Sequence, residues 1–330
     1  MQIMEYEVRT YYNKSDLPYL SDKNFFHFAS TFDWYSNISY YTPLMIVVYR
    51  DNKPIASMSA LIMRINRFLY GSAFKRCYLS QQPDFYEKEL NKIEVFDLLI
   101  SALVKEVGTK VLYIEYRNLS SPSFGYKGFR ENGFYYARWI NVYNSLQKRR
   151  DIWNQLSRTR KNQVNKSKRK GVLIEEITTA EELRHIYTLI DKSKNWKVFN
   201  RFPPYQYFEN FLEFYVKANK GRILVSKYKD KIIGGVILGF QRKKVVVLYF
   251  WGKDKTYKYL NPSVFTLYSA MELAEKEKYE VFDFMDAGYL NIRAGKPRFL
   301  LQFGGKSKFT RRWYRFNWKI LSFLAKRIYE

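Results

Sequence analysis

Two aspartates, Asp283 and Asp286, stand three residues apart in FDFMDAGYLNIRAGKPRF (282–299), where an apolar run gives way to a glycine-containing loop. A carboxylate at the end of a strand can act as a general base, and binding residues concentrate in the loops that follow such strands. Asp286 is the candidate base; a structural role reads equally well for it, and Asp283 reads equally well as a turn former. Behind them stand the cations Lys296, Arg298 and Lys306, suited to phosphate contact. A second segment, YFWGKDKTYKYLNPS (249–263), sets Tyr249 and Trp251 beside Lys253 and places Asn261 before a helix-opening proline. Aromatic faces next to ammonium groups suit a sugar or nucleotide stacked beside phosphates. A third, RTRKNQVNKSKRK (158–170), holds seven basic residues and no acid, with Arg158, Arg160 and Lys161 at its start. It can lie along a phosphate backbone or form a solvated helix face.

The sequence lacks other chemistry. It has no GxxxxGK[ST], no GxGxxG after a strand, no GxSxG and no HExxH. Its two histidines, His27 and His185, fall in predicted amphipathic helices and are expected in the core or at the surface. One cysteine, Cys77, excludes an internal disulfide and a cysteine-based zinc site. Neither a nucleophilic triad nor a metal site is expected. A glycine-rich pyrophosphate loop of the [QR]xxGx[GA] type is missing after KVVVLYFWG, where KDKTYKYLNPS stands instead.

These segments need a framework. The chain has 330 residues, 47% of them apolar, enough for two packed domains. Its net charge is +26, unevenly spread: residues 151–330 carry 37 Lys and Arg against 17 Asp and Glu. Such a charge concerns partners, and it favours nucleic acid, phosphorylated small molecules or an anionic membrane face. The N-terminal residues show no signal pattern, and no apolar run reaches the length of a membrane span. The expected compartment is the cytoplasm.

LMIVVYR, the turn DNKP and IASMSALIMR predict an antiparallel hairpin, and RILVSKY, KDK and IIGGVILGF predict a second. Each is followed further on by a helix (93–107 and 262–277) and a strand (111–117 and 280–285). A helix is expected over 24–40 on its aromatic spacing and another over 153–170. The order implies an α/β (α+β) chain of two tandem acetyltransferase-like (GNAT) domains, each a mixed, largely antiparallel sheet flanked by helices. The expected boundaries are 1–150 and 151–312. Residues 313–330 (WYRFNWKILSFLAKRIYE) predict a basic amphipathic helix, packed on its own domain or resting on a membrane, with Trp313, Phe316, Ile320, Leu324 and Ile328 along one face.

In this order SRTRKNQVNKSKRKGV (157–172), YKDKIIGGVILG (228–239), YFWGKDKTYKYLNPSVFTLYSAMELAEK (249–276) and FDFMDAGYLNIRAGKPRFLLQFGGK (282–306) resemble the FemABX family, the aminoacyltransferases of peptidoglycan bridge synthesis. The resemblance covers most of 157–306 and implies amide-bond formation. An activated aminoacyl group, carried in the family on tRNA, would pass to an amine of a cell-wall precursor bearing a diphosphate-linked sugar or lipid. It implies no tightly bound cofactor, with aminoacyl-tRNA or acyl-CoA as donor substrate. It also implies contact with an anionic sugar-diphosphate or lipid-linked acceptor, and peripheral contact with the inner membrane face through 313–330. One position departs from the family: before FGG the family carries Phe-Lys, and this chain has Phe299-Leu300. The alternatives are an acyl-CoA-dependent N- or O-acyltransferase of polysaccharide synthesis and a non-enzymatic nucleic-acid-binding protein.

Overall fold

The structure, a computed structural model, describes residues 6–21, 24–65, 71, 74–118, 121–147, 151–192, 203–252, 255–289, 295–318 and 321–323. The described residues through Trp139 and from Phe309 onward form one compact unit, and those from Ile140 to Lys308 form a second.

In the first unit, β1 (Tyr6–Tyr11), β2 (Tyr41–Arg50), β3 (Lys53–Arg64) and β4 (Lys75–Ser80) follow one another as antiparallel neighbours, and the short β5 (Asp84–Phe85) pairs with β3. The β2–β3 loop is Asp51-Asn52, both residues at positive φ. That is the paired left-handed geometry of a tight hairpin turn, and Asp and Asn tolerate it. Between β1 and β2 the expected long helix shortens to α1 (Ser30–Tyr35), preceded by a 3-10 turn at Phe25–His27. The aromatic spacing there records burial of Phe25, Phe28 and Phe32 rather than one continuous helix. A crossover helix, α2 (Lys92–Val107), is capped by the Asn91 side chain and buries Val95, Phe96, Leu99, Ile100, Leu103 and Val107 as one stripe. It delivers β6 (Tyr113–Asn118), parallel to β4. The short α3 (Tyr126–Glu131) and β7 (Tyr135–Ser145) follow.

The second unit repeats this plan. The expected helix over 153–170 breaks into α4 (Ile152–Gln155) and α5 (Arg158–Arg169), because the Ser157 hydroxyl accepts from Arg160 N and starts a new helix. Then come β8 (Leu173–Glu176), α6 (Ala180–Lys192) and α7 (Tyr205–Phe211), which runs into a π-helical turn, Leu212–Val216. β9 (Gly221–Tyr228), β10 (Lys231–Gln241) and β11 (Lys244–Gly252) continue antiparallel from β8. The β9–β10 loop, Lys229-Asp230, again has two positive φ values. The continuous apolar run of β10 is buried along nearly its whole length, as expected of a strand covered on both faces. After α8 (Pro262–Lys276), β12 (Val281–Tyr289) lies parallel to β11. α9 (Gly295–Leu301) and β13 (Lys306–Phe316) follow.

Both units are thus four antiparallel strands, a crossover helix and a parallel strand. Each is completed by a strand from elsewhere in the chain. Residues 140–145 of β7 belong to the second unit, where β7 neighbours β12, while Phe309–Phe316 of β13 belong to the first and pair antiparallel with β6. The division at 150 and 312 is displaced accordingly. The helix expected from Trp313 is a strand through Phe316, because the residues there alternate: Trp313 is fully buried against Phe129, and Arg312 lies on the opposite side against Trp139. Leu321–Phe323 is helical, and Ile320, Leu324 and Ile328 lie outside the described residues.

Candidate functional site

Two of the candidate residues of the second unit, Asp286 and Lys296, meet where its parallel strands part. β11 and β12 pair at Lys244–Val281, Val245–Phe282 and Val246–Asp283; among the described residues no further pair joins them. β11 continues to Gly252 and β12 to Tyr289. On the other side of β11 the register slips: Val247 faces Leu238 and Tyr249 faces Ile237, which leaves Leu248 as the extra residue of a bulge. A bulge bends and twists its strand, here at the point of divergence. The corresponding strands of the first unit stay paired from Arg76–Tyr113 to Ser80–Arg117. The wedge between β11 and β12 therefore offers a strand edge to which an extended, amide-bearing ligand can add main-chain hydrogen bonds.

α9 reaches both strands at this wedge. Phe299 stacks on Phe250 of β11, centroids 5.9 Å apart and planes within 5°. Lys296 Nζ donates to the Asp286 carbonyl of β12 at 2.8 Å and lies 5.5 Å from the Phe250 ring. Asp286 is half-buried and sits inside β12, three positions before its end, rather than in the loop beyond it. Asp283 is structural: it is 4% exposed, its Oδ1 accepts from Met285 N at 2.7 Å, and its Oδ2 pairs with Lys244 at 2.9 Å. It steadies Met285, whose φ is positive. Thus Asp286, Lys296 and Phe250 come together, and Phe250 and Phe299 are site residues that the sequence analysis missed. No signal in YFW separated Phe250 from its neighbours, because the bulge that orients it leaves no mark in composition.

Strand alternation sends the other aromatics elsewhere. Tyr249 packs on Phe208 and Tyr207 of α7, on the face opposite Phe250. Trp251 lies flat against Gly235 of β10, where an added Cβ would stand 2.2 Å from the indole. Asn261 adopts a left-handed conformation before α8, and its carboxamide donates to Tyr259 O rather than capping the helix. A 3-10 turn, Lys255–Leu260, precedes it where a glycine-rich cradle would stand. Arg298 and Lys306 are exposed. Lys253 lies outside the described residues.

α5 divides its cations. Arg160, Val164 and Ser167 form its buried stripe. Arg160 is 4% exposed, lies 4.1 Å from the Phe299 ring, and donates to Phe299 O at 3.0 Å and to Gln163 Oε1 at 2.6 Å. Burial pulls its guanidinium down to about 10. The assignment of Arg160 to phosphate contact is corrected: it holds the end of α9. Arg158 stays exposed, as do Lys166 and Lys168, while Lys161 is half-buried with its ammonium 5.9 Å from Trp153.

The FGG run is a lock for α9. Asn144 Nδ2 donates to Phe303 O at 2.8 Å, and Ser157 N donates to Gln302 O at 2.9 Å. Gly304 has φ +87, and a Cβ there would sit 2.4 Å from Gln155 O. Leu300, at the position where the family carries lysine, is fully buried in the core of the unit.

A family model described as an acetyltransferase (GNAT) domain matches residues 154–290, so the second unit carries an acyltransferase domain. No curated protein matches the chain. Among solved structures, FemX aligns over 90% of this chain and 93% of its own at 15% identity and a TM-score of 0.62. L-PGS from Bacillus licheniformis aligns over 82% and 86% at 14% identity and a TM-score of 0.54. A tandem GNAT protein from the clavulanic acid biosynthesis pathway aligns over 85% and 84% at 10% identity and a TM-score of 0.53. At these identities the likeness is one of fold alone, that of GNAT-type units in tandem.

Proposed function

We propose that the chain transfers an activated aminoacyl group to an amine of an anionic sugar-diphosphate or lipid-linked acceptor, at the wedge between β11 and β12. The observation that carries this reading is the divergence of those strands at the Leu248 bulge, with α9 laid across both. The donor lies along the β11 edge, whose main-chain N–H groups polarise its carbonyl. The acceptor amine attacks the acyl carbon, the C–N bond forms and the donor ester C–O bond breaks. Asp286 takes the amine proton, which leaves with the alcohol. Positioning supplies much of the acceleration for an ester already activated. The exposed cations of α5, with Arg158 at its start, suit a tRNA backbone, and Lys296, Arg298 and Lys306 suit the acceptor diphosphate. No resident cofactor enters this scheme. A lipid-linked acceptor would bring the enzyme from the cytoplasm to the inner membrane face.

The second reading, an acyl-CoA donor whose thioester breaks in the same way, is favoured by the acetyltransferase (GNAT) domain match. Saturating ligand separates the two, since a donor at a hundred times its Kd stabilises by about 2.7 kcal/mol. Stabilisation by aminoacyl-tRNA together with transfer to a precursor amine is expected. Asp286→Asn should then lower kcat by roughly a hundredfold with KM and melting temperature nearly unchanged. Stabilisation by neither donor rejects both readings, and tight salt-dependent RNA binding without transfer makes the chain a nucleic-acid-binding protein.

A further inference from the structure

β12 changes its inward face part-way along. Side chains of a regular strand alternate. Phe282 and Phe284 both enter the core of the second unit, ring centroids 5.1 Å apart, so alternation would send Asp286 inward next. The residue that joins them is Ala287, 2% exposed, while Asp286 stays partly exposed. The phase has slipped by one residue, and the slip coincides with Met285, a strand residue at φ +54. The corresponding strand of the first unit keeps its phase: Ile114 and Tyr116 both enter the core, and none of Tyr113–Asn118 has a positive φ.

A long side chain rarely adopts left-handed backbone, and such strain persists only where its surroundings enforce it. Asp283 enforces it here. Its Oδ1 accepts from Met285 N at 2.7 Å, two residues on, a local bond that competes with regular strand geometry. Its Oδ2 meets Lys244 Nζ of β11 at 2.9 Å, and the aspartate is only 4% exposed. Lys244 stands opposite Val281, so this ion pair bridges the two strands within their short paired stretch. The last pair of that stretch is Val246–Asp283. The strands therefore part, and β12 changes phase, at the residue that makes the bridge.

We propose that Asp283 is a positioning residue: anchored by Lys244, it holds Met285 in the left-handed conformation that shifts the phase of β12 and keeps Asp286 off the core face, at the wedge. Its consequence for catalysis rests on the acyl-transfer reading, in which Asp286 takes the amine proton. The geometry itself does not, and the two are tested separately.

The test places a thiol at the wedge with Asp286→Cys in the full-length chain and follows its reaction with iodoacetamide by mass spectrometry. The native thiol, Cys77, is buried, and burial pushes its pKa up, so it stays silent. A thiol also tolerates an apolar core, so it is free to follow the strand if the phase reverts. Asp283→Asn, which keeps an acceptor for Met285 N, should leave the labelling rate within about twofold. Asp283→Ala should slow it by about tenfold, because Met285 relaxes and residue 286 turns inward. Adding Met285→Gly should restore the rate, since glycine holds the left-handed conformation without help. If Asp283→Ala fails to fold, recovery of both folding and labelling on adding Met285→Gly still decides. An unchanged rate in folded Asp283→Ala overturns the proposal, as does a failure of Met285→Gly to restore what Asp283→Ala removes. With Asp286 intact, Asp283→Ala should lower kcat and Met285→Gly should recover it. Slowed labelling with unchanged kcat would uphold the positioning and reject Asp286 as the base.

Discussion

His27 sits 4% exposed in the first unit, with Nε2 3.1 Å from the Ser80 carbonyl, which it therefore meets as a donor. Burial lowers its pKa to about 4, the Ser80 bond partly opposing. Between pH 6.5 and 4 the unfolded chain takes up a proton that the folded chain refuses, so stability falls as pH drops through that window. The loss reaches about 3 kcal/mol at its lower end. Urea melts from pH 7 to 4 should show this slope, and His27→Gln, which keeps a donor, should flatten it. An unchanged slope would assign the acid sensitivity to other groups. The sequence placed this histidine in a core or at a surface, and its spacing went no further. Arg160 marks the same limit: its charge suggested phosphate, whereas its place on the α5 stripe with Val164 and Ser167 decided the matter. Reading that helix by period rather than by charge would have turned Arg160 inward.

At the level of elements, the two hairpins were legible because their turns are local chemistry: Asp51-Asn52 and Lys229-Asp230 each fix a left-handed pair between apolar runs. The crossover helices were legible from period alone. The β11–β12 wedge was not, since it comes from a one-residue bulge at Leu248 whose side chain looks like any other in a strand. The FGG run was legible as a motif, and its structural part was not. Its glycines let the turn close on Gln155 and Asn144, which sets the end of α9 and through Phe299 the floor of the wedge. Gly304→Ala meets both a left-handed φ and a backbone oxygen at 2.4 Å. It should cost about 2–4 kcal/mol, more than an exposed left-handed glycine would. Gly171→Ala, at φ +76 with nothing within 4 Å of the new Cβ, provides that reference. Equal losses in chemical denaturation for the two variants would show that the close approach is not rigid.

Over the whole molecule, the chain is not two beads in series, and the reason lies in its last strand. The first unit draws Phe309–Phe316 from beyond the second, and that strand brings a principal core side chain with it. Trp313 is fully buried, stacks on Phe129 at 4.4 Å and meets Tyr136 and Tyr126 edge-on at 5.2 and 5.6 Å. The following turn is tied down as well, with Asn317 donating to Val111 O and Leu112 O. A sequence pattern could not expose this, because strand order within a sheet is a long-range pairing and WYRF fits a helical stripe as readily as an alternating strand. The consequence is that a chain ending at Arg312 loses Trp313 and with it about 3–5 kcal/mol from the aromatic core alone, a large part of the 5–15 kcal/mol that holds a domain together. Its first unit should unfold, giving protease cuts within 6–139. The second unit should stay resistant, because its core cluster draws on nothing beyond Phe303. Trp313→Phe in the full chain should melt lower but cooperatively, with no new cuts. A truncated chain with an unchanged melting temperature and protease pattern would mean that the first unit closes without its final strand, and the exchange of strands would then contribute nothing to its stability.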